Sequence, residues 1–390
     1  MTNPLVSIRT QVNGLRVSRQ WPVEVFRAAN GREIRKALLD NRQGLRSLVA
    51  SIKALKENDL ARIQAAMEAG MESLAWFPFH SLATRLTDPT DGGAVQVATT
   101  PYGVHAGASV AIVPPDGRGG TVHTVTGLSG GIQLDPAPTA GLYPAGSQLL
   151  PVFLGFLDSY GDRHRFDFDT SASIQAVELS PSPQPTGALP SVYLDLWVFG
   201  QGSGWDALLP RVTVASAQTT RTTLVGTVFQ PRTRTLAEPV EASLVLTLLL
   251  REPTETGLVW QMQDALGGQL GRFWLRSYRQ DLTVVSISGD TVTALDFGQS
   301  GLFNRDRYLW DRENRTGHKV VSVIDGDPGE FLLELDPAPA ADATVFEILY
   351  FCRLSADTIE MSANSQIPGH WDSTINLMEL TGEYSDLGGE

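Results

Sequence analysis

The chain has 390 residues, 42% of them hydrophobic and 19% charged, with a net charge of −13. This composition supplies core material for roughly two to four domains. It argues against a disordered chain, a dedicated nucleic-acid reader and a binder of anionic membranes. The lone Cys352 excludes an internal disulfide framework and a thiolate zinc cluster, and its apolar neighbours predict a buried side chain.

The apolar segments are far shorter than the about 20 residues that a bilayer-spanning helix needs. Residues 1–14 contain no apolar stretch of the kind that an export signal carries. We therefore expect a soluble protein without membrane insertion, made and used without a secretory route.

In chain order, the first predicted strand is Arg46–Ile52. A helix over Asp59–Gly70 follows, because its apolar residues recur at helical spacing. An aromatic strand over 74–79 comes next, then short β-segments separated by Gly, Asp and Pro, and a final strand, Ile174–Leu179.

The second half of the chain shows the same order of elements. It begins with the strand Ala242–Leu250, whose continuous apolar pattern predicts burial on both faces. Helical spacing continues to Leu270 behind Thr256, which is the candidate cap of the helix. The aromatic strand Gly271–Leu275 and the final strand Ile375–Leu380 complete the series.

The two halves also share residues at nearly constant spacing. Leu134–Pro138 recurs as Leu335–Pro339, 201 positions later. Four earlier matches lie 198 positions apart, namely Leu60/Leu258, Trp76/Trp274, Val122/Val320 and Val125/Val323. Ordered matches over such a length predict a tandem duplication.

The predicted fold is mainly β (β-sandwich or β-barrel) with one principal α-helix per repeat. The first repeat is expected over residues 1–180, with a small inserted β-barrel at about 80–160. The second is expected over 191–384, with its inserted barrel at about 278–350. The Pro-rich segment 181–190 is predicted to be a stiff joint, and residues 385–390 form a polar tail.

A possible nucleophile motif lies at Gly127–Gly131, which matches G-x-S-x-G around Ser129. That motif requires a strand before the serine and a helix after it. Here β-forming residues lie on both sides, which indicates a hairpin turn. We therefore expect no catalytic role for Ser129.

A cluster of four aspartates and one histidine suggests a metal site or a carboxylate pair. Its members are Asp158, Asp162, His164, Asp167 and Asp169. However, Phe166 and Phe168 alternate with the last two aspartates, as on a half-exposed strand. Arg163 and Arg165 can neutralise these carboxylates, and no EF-hand spacing is present. A surface strand is the favoured interpretation.

The other candidate residues are scattered. The remaining histidines are His80, His105, His123, His318 and His370. Trp76, Trp274 and Phe273 are able to stack on sugars or bases, but their repetition in both halves favours a core or interface role. We therefore predict no catalytic, cofactor-binding or metal-ligating residue, and no enzyme.

Charge is unevenly distributed along the chain. Residues 1–62 carry a net charge of +7, whereas residues 354–390 carry −7 with no Arg or Lys. This polarity suits head-to-tail packing of chains around a ring, and the alternative is a solvated surface.

The basic strand, the helix Asp59–Gly70 and the aromatic strand together resemble the distal tail and baseplate hub proteins of long-tailed bacteriophages and gene transfer agents. Leu270–Leu275, Arg353–Glu360 and Glu379–Tyr384 are similar to the same group. The resemblance implies a tail-tube-like β-sandwich that assembles into a ring around the DNA and tape-measure channel. An ordinary distal tail protein has one such domain per chain, so the duplication is a departure.

We therefore expect a structural protein of the virion tail, assembled in the host cytoplasm, that joins the tail tube to the hub and fibres. Its expected partners are the tail tube protein and other baseplate, hub and fibre proteins, while DNA passes without specific binding. The ring is expected to be a trimer with pseudo-six-fold symmetry, or a hexamer with the second repeat outside it. The alternatives are a carbohydrate- or receptor-binding tail module and, less favoured, a tail-associated hydrolase.

Overall fold

The computed structural model describes residues 15–21, 23–27, 33–37, 45–54, 74–115, 120–163, 170–178, 189–202, 204–205, 208, 210–216, 242–297, 303, 307–364 and 370–380. The described part is mainly β, as the sequence predicts. It contains one α-helix, α1 (Pro253–Leu266).

Eleven strands lie in the described residues of the first half. They are β1 (Arg16–Gln20), β2 (Val23–Arg27), β3 (Glu33–Ala37), β4 (Leu45–Ala54), β5 (Ala75–Pro78), β6 (Thr84–Arg85), β7 (Ser109–Val113), β8 (Thr121–Gly127), β9 (Gln133–Asp135), β10 (Gln148–Arg163) and β11 (Thr170–Glu178).

The part of the second half that the structure describes also contains eleven strands. They are β12 (Arg211–Ser216), β13 (Ala242–Leu250), β14 (Phe273–Arg276), β15 (Leu282–Ser288), β16 (Thr291–Leu295), β17 (Tyr308–Asp311), β18 (Thr316–Asp325), β19 (Glu330–Asp336), β20 (Val345–Leu354), β21 (Thr358–Ala363) and β22 (Trp371–Glu379).

One antiparallel sheet runs through both halves of the chain. Its neighbouring strands follow the order β12, β13, β22, β21, β1, β4, β11 and the end of β10. The first four strands come from the second half and the last four from the first half. The order of pairing is the same in each set of four, so β12 occupies the position of β1 and β21 that of the end of β10.

Most of the remaining strands lie between β5 and β10 in the first half and between β14 and β20 in the second. In the second half, β20, β15, β16, β19, β18 and β17 pair in a closed cycle. In the first half, β10, β7, β8 and β9 pair in series. Isolated bridges join Val95 to Ile132 and Leu86 to Val97, and β6 pairs with β10.

The helix α1 begins earlier and ends earlier than the sequence predicts. Its cap is Glu252 with Pro253 in the first turn, so Thr256 lies inside the helix and the prediction of a Thr256 cap is wrong. Gly267 adopts a left-handed conformation (φ 60°), which ends the helix. Leu270 therefore lies in a separate 3₁₀ turn, Gly268–Leu270.

The predicted strands over 46–52, 74–79 and 242–250 correspond to β4, β5 and β13. The prediction that 242–250 is buried on both faces is wrong: burial alternates along β13, and Ser243 and Thr247 on its second face are exposed. The final strands of the two halves correspond to β11 and β22. Three further predictions lie outside the described residues: the helix Asp59–Gly70, residues 181–188 of the joint and the tail 385–390.

Candidate functional site at the junction of the two halves

The two halves meet where β1 pairs with β21. Val17 lies opposite Met361, and both side chains are fully buried. At the surface of this pairing, Arg16 Nη1 lies 3.6 Å from Glu360 Oε1. The basic beginning of the chain thus contacts its acidic end within one chain. The charge pattern alone also suits such a contact between neighbouring chains.

The helix α1 lies over the same junction and binds residues of the first half. Thr256 Oγ1 donates a 2.5 Å hydrogen bond to the Ser81 carbonyl oxygen. Further along the helix, Gln263 Nε2 donates to the carbonyl oxygen of Arg19 on β1 at 2.8 Å. The ring of Trp260 packs 5.4 Å from that of Phe79. The helix therefore fastens the second half to the first.

A buried polar cluster lies beneath the helix. Arg19 forms an ion pair with Asp264, whose Oδ2 also accepts a 2.6 Å hydrogen bond from the Tyr102 hydroxyl. Burial raises the pKa of Asp264, although Arg19 and the Tyr102 hydroxyl oppose this shift. Burial and the neighbouring carboxylate both raise the pKa of Tyr102. The cluster therefore joins β1, the loop of Tyr102 and α1.

A small cavity beside this cluster is lined by Arg19, Arg46, Phe79, Tyr102 and Trp260. The Arg46 guanidinium binds Glu178 at 2.5 Å and lies 5.5 Å from the Phe153 ring centroid. Each arginine is thus paired with a buried carboxylate outside the lining, which compensates its charge. This arrangement holds strands together and presents no free acid–base pair.

Glu178 and Glu379 occupy matching places in the two halves. Each is the last residue of its strand, β11 or β22, and each is buried. Glu178 pairs with Arg46, and Glu379 accepts a 2.6 Å hydrogen bond from Arg307 Nη1. Each half therefore has a buried glutamate at this position. The arginines that neutralise the two glutamates differ in place: Arg46 lies on β4, and Arg307 lies just before β17.

A histidine contact also occurs in both halves. His123 Nδ1 lies 2.6 Å from the Pro136 carbonyl oxygen, and its Nε2 contacts Thr121 Oγ1. Since a carbonyl only accepts, Nδ1 carries the proton and Nε2 accepts from the threonine hydroxyl. Burial lowers the pKa of His123, which favours this neutral form.

The second half repeats the arrangement with other residues. His318 Nδ1 lies 2.7 Å from the Pro337 carbonyl oxygen, and its Nε2 lies 3.0 Å from Thr316 Oγ1. The peptide bond before Pro136 and that before Pro337 are both cis. In the sequence, the signal for these contacts is a Thr-x-His segment ahead of Asp-Pro in each half.

Ser129 lies in the turn between β8 and β9, as the sequence predicts. Its carbonyl oxygen accepts a 3.2 Å hydrogen bond from Gln133 Nε2. Asp158 and Asp162 lie on β10, whereas His164, Asp167 and Asp169 are outside the described residues. Across the described ranges, no group of three or more His, Cys, Asp or Glu side chains is placed to hold a metal ion.

The aromatic residues predicted to lie in the core or an interface differ in burial. Trp274 and Phe273 are fully buried, and the Trp274 ring lies 4.8 Å from that of Tyr308. Trp76 is half-buried. Cys352 is fully buried, and burial raises the pKa of its thiol. The prediction of a buried Cys352 is confirmed.

Within the described part of the chain, no helix has the length and apolar character needed to cross a bilayer. No protein-family model matches the chain, and no curated protein matches it.

Proposed function

We propose that the chain is a non-enzymatic structural protein of a virion tail tip or baseplate, which forms a ring joining the tail tube to the hub and fibres. The observation that carries this proposal is the continuous sheet of two four-stranded sets. The sets meet head to tail, since the last strand of one, β21, pairs with the first strand of the other, β1. Such a contact does not close on itself, and its repetition produces a ring or a filament.

We further propose that the two halves are a tandem duplication of a tail-tube-like domain, each copy with a small inserted β-barrel. The equal order of pairing in the two sets supports this interpretation. The matching histidine contacts of His123 and His318, and the matching buried carboxylates of Glu178 and Glu379, support it independently. The closed cycle of strands β15 to β20 supports a barrel in the second half.

Three chains supply six similar domains in this proposal. Because each chain contributes eight sheet strands, three chains give 24. With strands about 4.8 Å apart, even untilted strands enclose a backbone diameter of roughly 37 Å, which is wide enough for duplex DNA. The presence of both sets in one sheet favours this trimer over a hexamer with its second repeat outside the ring.

The charge of the chain suits passage of DNA without retention. DNA carries about one negative charge per 1.7 Å of duplex axis, so a basic channel would hold it during ejection. With a net charge of −13, the ring has acidic side chains available for its inner wall. We expect an acidic or neutral lumen.

A second candidate function is receptor or carbohydrate binding by the inserted domains. One observation favours it: the side chain of Phe297, which follows β16, is 73% exposed. Exposed aromatic rings are common in sites that bind sugars or partner proteins. In this version of the function the protein is a peripheral module and forms no axial ring.

Native mass spectrometry and electron microscopy of the purified full chain test the proposal. The expected result is a ring with an axial hole and a mass of about 127 kDa, three times 42.2 kDa. Six chains per ring would support the hexamer with an outer repeat. A stable monomer at micromolar concentration, with the label for this chain on a peripheral bulb of the particle, contradicts the ring.

A further inference from the structure

We infer that neighbouring chains join through β12 of one chain and the last residues of β10 of the next, repeating the backbone pairing that joins β1 to β21 inside each chain. This inference rests on the proposed ring and names the surface that closes it. The partner that fits this surface is a second copy of the same chain.

The strand β12 is the structural equivalent of β1. Each is the first strand of its set and pairs antiparallel with the next, β13 or β4. The registers make Val17 equivalent to Val214 and Leu15 equivalent to Val212. The first-half residues are buried, whereas Val212 and Val214 are half-buried in the single chain. A partner strand beside β12 would reproduce the surroundings of β1.

The end of β10 is the structural equivalent of β21. Asp162 lies opposite Ala172 of β11, as Met361 lies opposite Ser373 of β22. The other edge of β21 is occupied by β1. Among the described residues, no strand pairs with the other edge of Ser159–Arg163, nor with the edge of β12 that faces away from β13.

The two unpaired edges complement one another in direction. Neighbouring strands alternate in direction across the eight-stranded sheet, so β12 and the end of β10 run in opposite directions. A second chain in the same orientation therefore presents its β12 antiparallel to the end of β10. The two edges lie at opposite ends of one sheet. Joining β12 of one chain to the end of β10 of another therefore gives the backbone groups of both edges hydrogen-bond partners.

The register of the contact follows from the register inside the chain. Val17 lies opposite Met361 in the β1–β21 pairing. Since Val214 is equivalent to Val17 and Asp162 to Met361, the contact between chains places Val214 opposite Asp162. Directly opposite residues in an antiparallel pair have Cβ atoms about 4.5–5.5 Å apart, close to the separation that a disulfide spans.

The test uses two full-length proteins, Val214→Cys and Asp162→Cys, oxidised separately and as a mixture. We expect the mixture to give at least about tenfold more disulfide-linked dimer than either protein alone. The natural Cys352 is fully buried and adds little background, which the unsubstituted protein measures. Thr213→Cys mixed with Asp162→Cys is the matched control, since adjacent strand residues point to opposite faces.

Each result bears on the inference. A disulfide-linked dimer formed by Val214→Cys alone indicates that β12 pairs with β12 of the next chain, and this overturns the inference. Rings of normal mass with no link in the mixture overturn this junction while leaving the proposed function standing. Absence of rings in the unsubstituted protein removes both proposals. The internal pair Val17→Cys with Met361→Cys, in one chain, verifies that the chemistry works on a folded junction.

Discussion

Arg19 on β1 and Asp264 on α1 form an ion pair whose side chains are only 3% and 1% exposed. The two residues belong to different halves of the chain, so this pair fixes the helix over the strand pairing beneath it. Removing one member of a buried pair leaves an uncompensated charge, which costs far more than an exposed pair contributes.

We predict that Asp264→Ala lowers the free energy of unfolding by about 3–5 kcal/mol, because Arg19 is left buried and unpaired. Chemical denaturation monitored by tryptophan fluorescence measures this. Arg16→Ala is the matched control: its pair with Glu360 is about half exposed, and its loss should cost no more than about 1 kcal/mol. Equal effects of the two substitutions would contradict the buried ion pair.

The second prediction concerns pH. Burial lowers the pKa of His80 from 6.5 to about 4, and its Nε2 is buried without a hydrogen-bond partner. The unfolded chain therefore binds the proton first, so stability should fall as the pH decreases from 6.5 towards 4, by at most about 1.4 kcal/mol per pH unit. The free energy of unfolding, measured across this pH range, should fall less steeply with decreasing pH in His80→Gln. An unchanged pH dependence would show that other groups cause the fall.

The third prediction concerns the matching histidine contacts. His123→Ala and His318→Ala should each cost about 1–3 kcal/mol, because a buried imidazole and its hydrogen bonds to the proline carbonyl and the threonine hydroxyl are lost. The sites lie in different strand groups, so the double variant should show the sum within about 0.5 kcal/mol. Thr124→Ala, exposed on the same strand as His123, is the control. Thermal and denaturant unfolding provide the values, and a cost at one site alone would weaken the proposed duplication.

The fourth prediction concerns the hydrolase alternative. Ser129→Ala should leave stability within about 0.5 kcal/mol, since Ser129 lies in an exposed hairpin turn. Purified protein should not cleave peptidoglycan or polysaccharide, and particles carrying the variant should assemble and infect normally. Normal assembly with lost infectivity would support the hydrolase alternative.

The sequence predicts the local elements well because their signals are local. The apolar run of β13 and the Gly-rich turn at Ser129 are both where the patterns place them. The start of α1 is mispredicted because Thr256 has a cap-forming side chain that instead binds Ser81, far away in sequence.

The junction escapes sequence analysis for a different reason. Pairing between β1 and β21 is made by backbone groups, which every residue carries, so no residue pattern identifies the partner strand. The charges of Arg16 and Glu360 indicate attraction between the two ends of the chain, but do not distinguish one chain from two. The Arg19–Asp264 pair likewise depends on a helix position that only the fold brings to β1.

The pairing of β1 with β21 sets an order of events during synthesis. The amide of Val23, just after β1, donates to the Asp357 carboxylate, just before β21, across 334 positions of sequence. At about 5–20 residues per second, a ribosome needs roughly 20–70 s to make the intervening chain. During this interval the first strand has no β21 of its own, while completed β21 strands exist on older chains nearby. In nascent chains on one messenger, β1 of one chain is therefore able to pair with β21 of another. Rapid folding of the second half, which supplies the chain's own β21, limits this exchange.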